Sequence, residues 1–333
     1  MDNVRLCRGA DVMKDKNLFN TVLCDLLNIK YPIIQGAMTR VGGHRLVAAV
    51  SNAGGLGVLP TFGVSPEKLR RSIVETRALT DKPFAVNIVS IGRAFAESRA
   101  KIVIDEGIEI ATTGRGDPTT PIVSMLKRHN IKVLPVVPTV RHAIRAVEEG
   151  ADAVIASGCE AGGHVGTIAS LPLIPLMIDA IKVPVVAAGG IGDSRGFVAA
   201  LALGACGIQM GTRFYATREA DVSPSEKCSI LEASEEDTVV VTMLSGKPIR
   251  VLLDQEIDKW LQLRKQGATD KELAALATEI RKLARHDPEK QIVIAGQISG
   301  MISTIEGAGD IINQIIEGAA AICDTLHLLA IAR

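Results

Sequence analysis

Short apolar runs recur along the chain at close to even spacing: PIIQ (32–35), GLGVL (55–59), FAVNIV (84–89), IEIATT (108–113), KVLPVV (132–137), DAVIAS (152–157), VPVVAA (183–188) and GIQM (207–210). Most lack the in–out alternation of a half-exposed strand, as expected for parallel strands covered on both faces. Helical period and punctuation fill the gaps. SPEKLRRSIVETRAL (65–79) offers Ser65 as an N-cap with Pro66 at the first helical position. TVRHAIRAVEEG (139–150) puts Val140, Ile144 and Val147 on one face and stops at Gly150. DSRGFVAALALG (193–204) opens at Asp193 or Ser194 and stops at Gly204. Eight strand signals alternating with helices predict an α/β fold, a (β/α)8 or TIM barrel. An open doubly wound sheet is the alternative, weakened because no GxGxxG follows the first strand.

The pattern changes after the eighth strand. From about Glu219 to Glu289 the chain is charged, carries the only Trp (Trp260) and contains the helical stretch DKELAALATEIRKLARH (270–286). This predicts a helical cap inserted after strand eight. A glycine-bearing segment, IVIAGQISGMI (292–302), leads into a closing helix near 305–330. The expected organisation is a barrel over 1–218, a cap and substrate domain with the AGQ segment over 219–304, and a C-terminal helix over 305–333 returning to the barrel.

Composition narrows the function classes. Apolar residues make up 47% of 333, enough for a large core. The 37 basic and 37 acidic residues cancel, and aromatics are only 3%, so neither a nucleic-acid partner nor an anionic membrane surface is expected. The six cysteines are scattered without a CxxC, which suggests neither zinc nor a disulfide framework. The opening MDNVRLCRGADVMKDK lacks the apolar stretch of a signal peptide. A reducing, cytoplasmic setting is the expectation, with a homodimer left open as the assembly.

In a barrel of this kind the C-terminal ends of the strands build the active site. Unusual residues collect there: GAM (36–38) after the first strand, Asn87 near the end of the third, GRGDP (114–118) after the fourth, ASGCEAGGHVG (156–166) around the end of the sixth, AGGIGD (188–193) and QMGTRF (209–214) after the seventh and eighth. The last two loops, with backbone N–H groups near a helix opened at Asp193, form the recurrent phosphate cradle of the fold. Glycine turns needed only for tight connections are the plainer alternative. His164 is the histidine that sits on a barrel-top loop among glycines, which makes it the candidate general acid or base. Glu160 is either its supporting partner or a solvated loop carboxylate. Cys159 is a small filler rather than a nucleophile, with no base evident beside it.

Taken together, QGAM (35–38), NAGGLGVL (52–59), DKPFAVNI (81–88), EAGGHVG (160–166), AAGGIGDSRG (187–196), QMGTRF (209–214) and AGQISGMI (295–302) resemble the nitronate monooxygenase family, which includes the FMN-dependent enoyl-ACP reductases. The resemblance runs from about Leu23 to Ile302 and implies a barrel that binds FMN without a covalent link. It implies that Gly36, Ala37 and Met38 lie against the flavin ring and that Asn87 bonds the ring's polar edge. Gly162 and Gly163 would let the backbone approach the cofactor, while Gly189, Gly190, Gly211 and Thr212 would hold the phosphate. Ser157, Gln209 and Met210 complete the expected cofactor set. Two positions depart from the enoyl reductases: Ser157 stands where they usually carry Glu, and GAM replaces their usual GGM.

Three functional readings follow. In the first, a nitronate gives electrons to FMN and O2 reoxidises it, with His164 positioning or deprotonating the substrate. In the second, NADH or NADPH reduces FMN, which passes hydride to an enoyl thioester. The third is a non-redox phosphate-binding isomerase or lyase. The partner in each is a small-molecule substrate.

Overall fold

The structure, a computed structural model, describes residues 19–89, 91–114, 122–287 and 290–331. The N-terminal sixteen-residue stretch singled out above and Arg115–Pro118 of the GRGDP run lie outside the described residues. A short helix, α1 (Val22–Leu27), comes first; its N-cap Thr21 accepts from the Leu23 N–H and donates to the Cys206 carbonyl at 2.6 Å. Strands and helices then alternate: β1 (Ile33–Gln35), α2 (His44–Asn52), β2 (Gly57–Leu59), α3 (Pro66–Arg77), β3 (Phe84–Val89), α4 (Arg93–Asp105), β4 (Ile110–Gly114), α5 (Ile122–Lys127), β5 (Lys132–Val137), α6 (Val140–Glu148) and β6 (Val154–Ser157). A two-residue strand, β7 (Gly163–His164), interrupts the series before α7 (Ser170–Ala180), β8 (Val185–Ala188), α8 (Ser194–Ala202) and β9 (Gly207–Met210).

Leaving β7 aside, the eight strands pair in parallel in the order β1-β9-β8-β6-β5-β4-β3-β2. The gap between the two ends is bridged at Ile34 and Leu56, where the Gln35 N–H donates to the Leu56 carbonyl and the Leu56 N–H to the Ile33 carbonyl, each at 2.9 Å. The (β/α)8 expectation holds. The barrel interior is filled by Ile34, Leu56, Val58, Ala85, Ile110, Leu134, Ile155 and Val186, in one cluster with Leu23 and Leu27 of α1. Their strand neighbours Ile33, Leu59, Val86, Val133, Val154 and Ile208 belong to a second cluster shared with the surrounding helices. Both faces of each strand are therefore apolar, which is why the runs did not alternate.

The predicted caps of α3 and α8 are present: Ser65 accepts from the Lys68 N–H, and Asp193 from the Arg195 and Gly196 N–H groups. Helix α6 differs in its buried face. Ala143 and Ala146 face the sheet while Ile144 is 41% exposed. Val140 and Val147 of the expected face do pack against the core, so only Ile144 departs from it, and the small alanines allow the close approach.

Beyond β9 come α9 (Thr212–Tyr215), α10 (Pro224–Glu232), β10 (Thr238–Val241), β11 (Ile249–Leu252), α11 (Gln255–Lys265), α12 (Asp270–His286), a 3-10 turn (Gln297–Met301) and α13 (Ala308–Ile331). The insertion has its helices and, in addition, a β10–β11 hairpin. It has its own core, in which Val241, Val251, Ile257, Ile280 and Trp260 are buried. The Trp260 indole N–H donates to the Leu273 carbonyl at 3.1 Å. Helix α13 packs on α8 and α2 through a first half that buries Ile311, Ile312, Ile315 and Ala319. Its length and composition would suffice to cross a bilayer; the residues it buries on the barrel all lie in its first half, and 17% of its most apolar stretch is buried.

Candidate active site

A cavity of about 580 Å³ opens over the C-terminal ends of the barrel strands. That volume lies in the range of sites holding a drug-sized ligand. It brings together His164 with twelve of the thirteen residues expected at a cofactor: Gly36, Ala37, Met38, Asn87, Ser157, Gly162, Gly163, Gly189, Gly190, Gln209, Gly211 and Thr212. Met210 is the exception. Its side chain is 1% exposed and sits in the helix-facing cluster, since successive residues of β9 point to opposite faces and Gln209 takes the inward place. Met210 contributes its backbone, accepting from the Gly36 N–H at 2.8 Å.

The floor is built by register. Asn87 on β3 is paired with Thr112 on β4, and its amide Nδ2 donates to the Thr112 hydroxyl at 2.9 Å. That bond turns the Asn87 carbonyl oxygen to other partners. Ser157 ends β6 opposite Ala188 of β8, so a neutral hydroxyl stands at the strand end. Across the floor, a Cβ added to Gly36 would lie 3.5 Å from the Gln209 side chain.

At the β8 and β9 end, Gly189 and Gly190 have φ of +92° and +72°, a conformation that favours glycine. A Cβ on Gly211 would find only the Met38 sulfur, at 3.6 Å, so the space over that loop is open. The helix end is not as expected. The Asp193 carboxylate occupies the Arg195 and Gly196 N–H groups of α8, at 2.9 and 3.2 Å, so those donors are spent on the cap. What remains for an anion is the glycine loops themselves. Burial pushes the Asp193 carboxyl up, but the Arg195 guanidinium and the Gly196 N–H together hold it below the usual range.

Glu160 is half-buried, and its carboxylate is engaged by Ser170. Its carboxylate accepts from the Ser170 N–H at 2.9 and 3.0 Å and from the Ser170 hydroxyl at 3.1 Å. The same hydroxyl reaches the Gly189 carbonyl at 2.8 Å, so Glu160 and Ser170 tie the loop after β6 to the loop after β8. Gly162 serves packing. A Cβ there would lie 2.7 Å from the Ala295 carbonyl carbon and 2.8 Å from the Gly296 nitrogen, and one on Gly296 would lie 2.6 Å from the Glu160 carbonyl oxygen. The bare backbones of EAGG and AGQ lie against each other, and Thr212 joins them by accepting from the Gly296 N–H at 2.9 Å. Burial and the neighbouring Glu160 push the Cys159 thiol up, consistent with a filler.

His164 reaches the cavity from a strand shared with the insertion. Ile249 and Arg250 of β11 pair with His164 and Gly163 of β7. The Arg250 guanidinium, buried to 9% exposure, donates to the Cys159 carbonyl at 3.0 Å and to the Thr238 hydroxyl at 2.9 Å, locking the hairpin to the loop. His164 Nε2 lies 2.9 Å from the Ser245 hydroxyl at the hairpin turn.

Several cavity residues carried no usable sequence signal. Arg40, at φ +69°, meets the buried Glu226 at 3.3 Å, and the Tyr215 hydroxyl donates to the same carboxylate at 2.7 Å. Burial and the Glu226 carboxylate push the Tyr215 phenol well above its usual range, so it stays neutral. Phe62, Leu244, Ile249, Ile292 and Ile294 add an apolar wall, with Arg285 of α12 among them. Only the tertiary fold assembles these residues.

The sequence profile of the nitronate monooxygenase family matches residues 20–318. The chain belongs to that family. A "Probable nitronate monooxygenase" of Staphylococcus saprophyticus is 36% identical, over 72% of this chain and 80% of its own length. A protein of Rhodococcus jostii (strain RHA1), named (3aS,4S,5R,7aS)-5-hydroxy-7a-methyl-1-oxo-octahydro-1H-indene-4-carboxyl-CoA dehydrogenase, is 33% identical over 93% of this chain and 98% of its own. Among solved structures, FabK from Thermotoga maritima superposes with a TM-score of 0.85 at 38% identity, covering 92% of this chain and 98% of that one. The chain is an oxidoreductase of a flavin-dependent family, and the non-redox isomerase or lyase alternative is set aside.

Proposed function

We propose that the protein is an FMN-dependent oxidoreductase that oxidises alkyl nitronates with O2. The observation that carries the reading is the meeting, in one cavity, of the left-handed Gly189–Gly190 pair after β8, the open Gly211 after β9, the amides of Asn87 and Gln209, and His164 delivered from β7. The residues fit a flavin mononucleotide. Loops without Cβ atoms leave room and backbone donors for one phosphate, and amides suit the polar edge of a flavin ring. Gly189, Gly190, Gly211 and Thr212 would hold the phosphate; Gly36, Ala37 and Met38 would lie along the ring; Asn87 and Gln209 would bond its polar edge. Bound FMN would supply the electron acceptor and its reoxidation by O2. His164 positions the nitronate, or takes the α-proton of a neutral nitroalkane.

A second reading is favoured by the apolar wall of Phe62, Leu244, Ile249, Ile292 and Ile294, which is larger than a small nitroalkane requires. It is reduction of an enoyl thioester with NADH or NADPH as donor, the chemistry of enoyl-ACP reductases such as FabK. Mass analysis of the released cofactor tests the shared part: FMN at about one per chain is expected, and FAD would overturn it. Anaerobic reduction by NADH, NADPH or a nitronate, followed by reoxidation with O2 or an enoyl thioester, separates the two. Rapid reduction by nitronate and reoxidation by O2 supports the first reading. Reduction by a nicotinamide with reoxidation only by the thioester would replace it with the second.

A further inference from the structure

We infer that Arg285 is a specificity-determining residue, which takes an anionic group, carboxylate or phosphate, at the far end of an apolar substrate chain. The inference rests on the reading of this cavity as the substrate site, and it names the class of substrate the site prefers. Among the described residues lining the cavity, those that carry or can gain charge near neutrality are Arg40, Glu160, His164 and Arg285. The Glu160 carboxylate is engaged by Ser170, and the Arg40 guanidinium lies 3.3 Å from the Glu226 carboxylate. Arg285 is exposed and has no hydrogen-bond or ion-pair partner among the described residues. It therefore offers the cavity a cation whose charge the protein leaves unmatched.

The position of Arg285 is set by α12. Ala277, Ile280 and Ala284 bury that helix in the core of the insertion, and Arg281 and Arg285, one turn apart, share another side of it. Arg281 is spent on the scaffold: it donates to the Ala277 carbonyl at 3.1 Å and the Thr278 hydroxyl at 3.0 Å, and reaches the Leu244 carbonyl at 3.5 Å. The Gln291 amide donates to the Ala284 and Asp287 carbonyls, which ties the end of α12 to the segment carrying Ile292 and Ile294. An apolar lining joins this end to the chemistry. It starts beside His164, where Ile249 is paired with the histidine and the Ile294 side chain stands 3.7 Å from where a Gly163 Cβ would lie. Leu244, Ile292 and Ala284 carry it to α12, and Ala284 is the chain neighbour of Arg285. A substrate reacting at His164 would bury its methylenes on this lining, each favourably, and bring its far end to the guanidinium. The planar fork of donors matches a carboxylate or a phosphate, whereas a small nitronate would leave both features unused.

The test reads the preference as a ratio, so that any general loss of turnover cancels. Nitronates of equal chain length, from butyl to decyl, ending in methyl, carboxylate or phosphate, are compared on holoenzyme of wild type, Arg285→Ala, Arg285→Lys and Arg285→Glu. Wild type should favour an anionic end by about 5- to 20-fold in kcat/KM, mainly through KM, and the better of the two anions names the natural one. The ratio should fall near one in Arg285→Ala, survive in part in Arg285→Lys and drop below one in Arg285→Glu. Raising salt from about 0.1 M to about 1 M shortens the screening length from about 10 Å to about 3 Å, which should shrink the wild-type ratio and leave that of Arg285→Ala unmoved. A wild-type ratio near one, a ratio unchanged in Arg285→Ala, or an anion preference lost in His164→Ala but kept in Arg285→Ala would overturn the inference. Calorimetric affinity of the holoenzyme for alkanoates and alkyl phosphates, against alkanols of the same length, reads the same preference without turnover. If nitronates are not oxidised, the proposed function fails. The calorimetry still decides the inference, which stands if Arg285→Ala loses the anion's advantage and falls if it does not.

Discussion

Replacing Gly189 by alanine should damage the site far more than the same change at a glycine of similar conformation elsewhere. Gly189 has φ +92° and Gly267, between α11 and α12, has φ +83°. Both substitutions force an L residue into left-handed backbone, at a cost of roughly 1–2 kcal/mol. They differ in surroundings. A Cβ on Gly267 meets nothing within 4 Å, whereas one on Gly189 lies 3.0 Å from the Ser170 hydroxyl and 3.1 and 3.2 Å from the Gly158 carbonyl oxygen and nitrogen. Gly158 presents backbone, and the single Ser170 hydroxyl proton is shared among the Glu160 carboxylate and the Ala188 and Gly189 carbonyls, so neither can step aside freely. Overpacking of this kind adds about 1–3 kcal/mol. Gly189→Ala should therefore lose about 2–5 kcal/mol of local stability, against about 1–2 for Gly267→Ala. The displaced segment is the one assigned to the phosphate, so the loss should appear as weakened flavin binding. Flavin per chain after dialysis, together with thermal melts of both holoproteins, measures it. Equal flavin retention in the two variants would refute both the cradle assignment and the tie through Ser170.

Gly211→Asp should fold, since a Cβ there meets only the Met38 sulfur at 3.6 Å, yet lose FMN. A carboxylate about 4 Å from a phosphate costs several kcal/mol at intermediate dielectric, and normal flavin content would move the phosphate elsewhere. His164→Ala should lower turnover per bound flavin by about 10² to 10⁴ while leaving the visible flavin spectrum near wild type; full normalised activity would remove His164 from the chemistry. Asp193→Asn isolates the charge at the α8 cap. Because the folded carboxyl is held below its ordinary range, it stabilises the protein above the unfolded value near 4, and that contribution is lost as pH falls through the folded value. The melting-temperature gap between wild type and variant should therefore be widest near neutrality and close in acid; a gap independent of pH would assign the role to geometry rather than charge.

The barrel was legible because its determinants are local and repeated. A parallel strand covered on both faces must be apolar throughout, and glycines such as Gly150 and Gly204 end their helices at φ +100° and +95° whatever lies beyond. The site glycines were legible because a backbone that must turn left-handed at Gly189 and Gly190 leaves its mark in residue type alone. The family resemblance extended this reading to the residues proposed for the cofactor bed. Sidedness and long-range pairing were not so written. Met210 and Gln209 are adjacent and differ in role only because the pleat sends one outward and the other in. Nothing near residue 164 announces that its imidazole meets Ser245, or that Glu160 is spent on Ser170. Asp193, a sound helix cap by sequence, consumes the very N–H groups that the same reasoning offered to a phosphate. Periodicity and conformational preference act between neighbours along the chain, so sequence alone carries them. A hydrogen bond is a competition among every donor and acceptor that the fold brings within 3 Å, and only the tertiary structure decides who is present to compete.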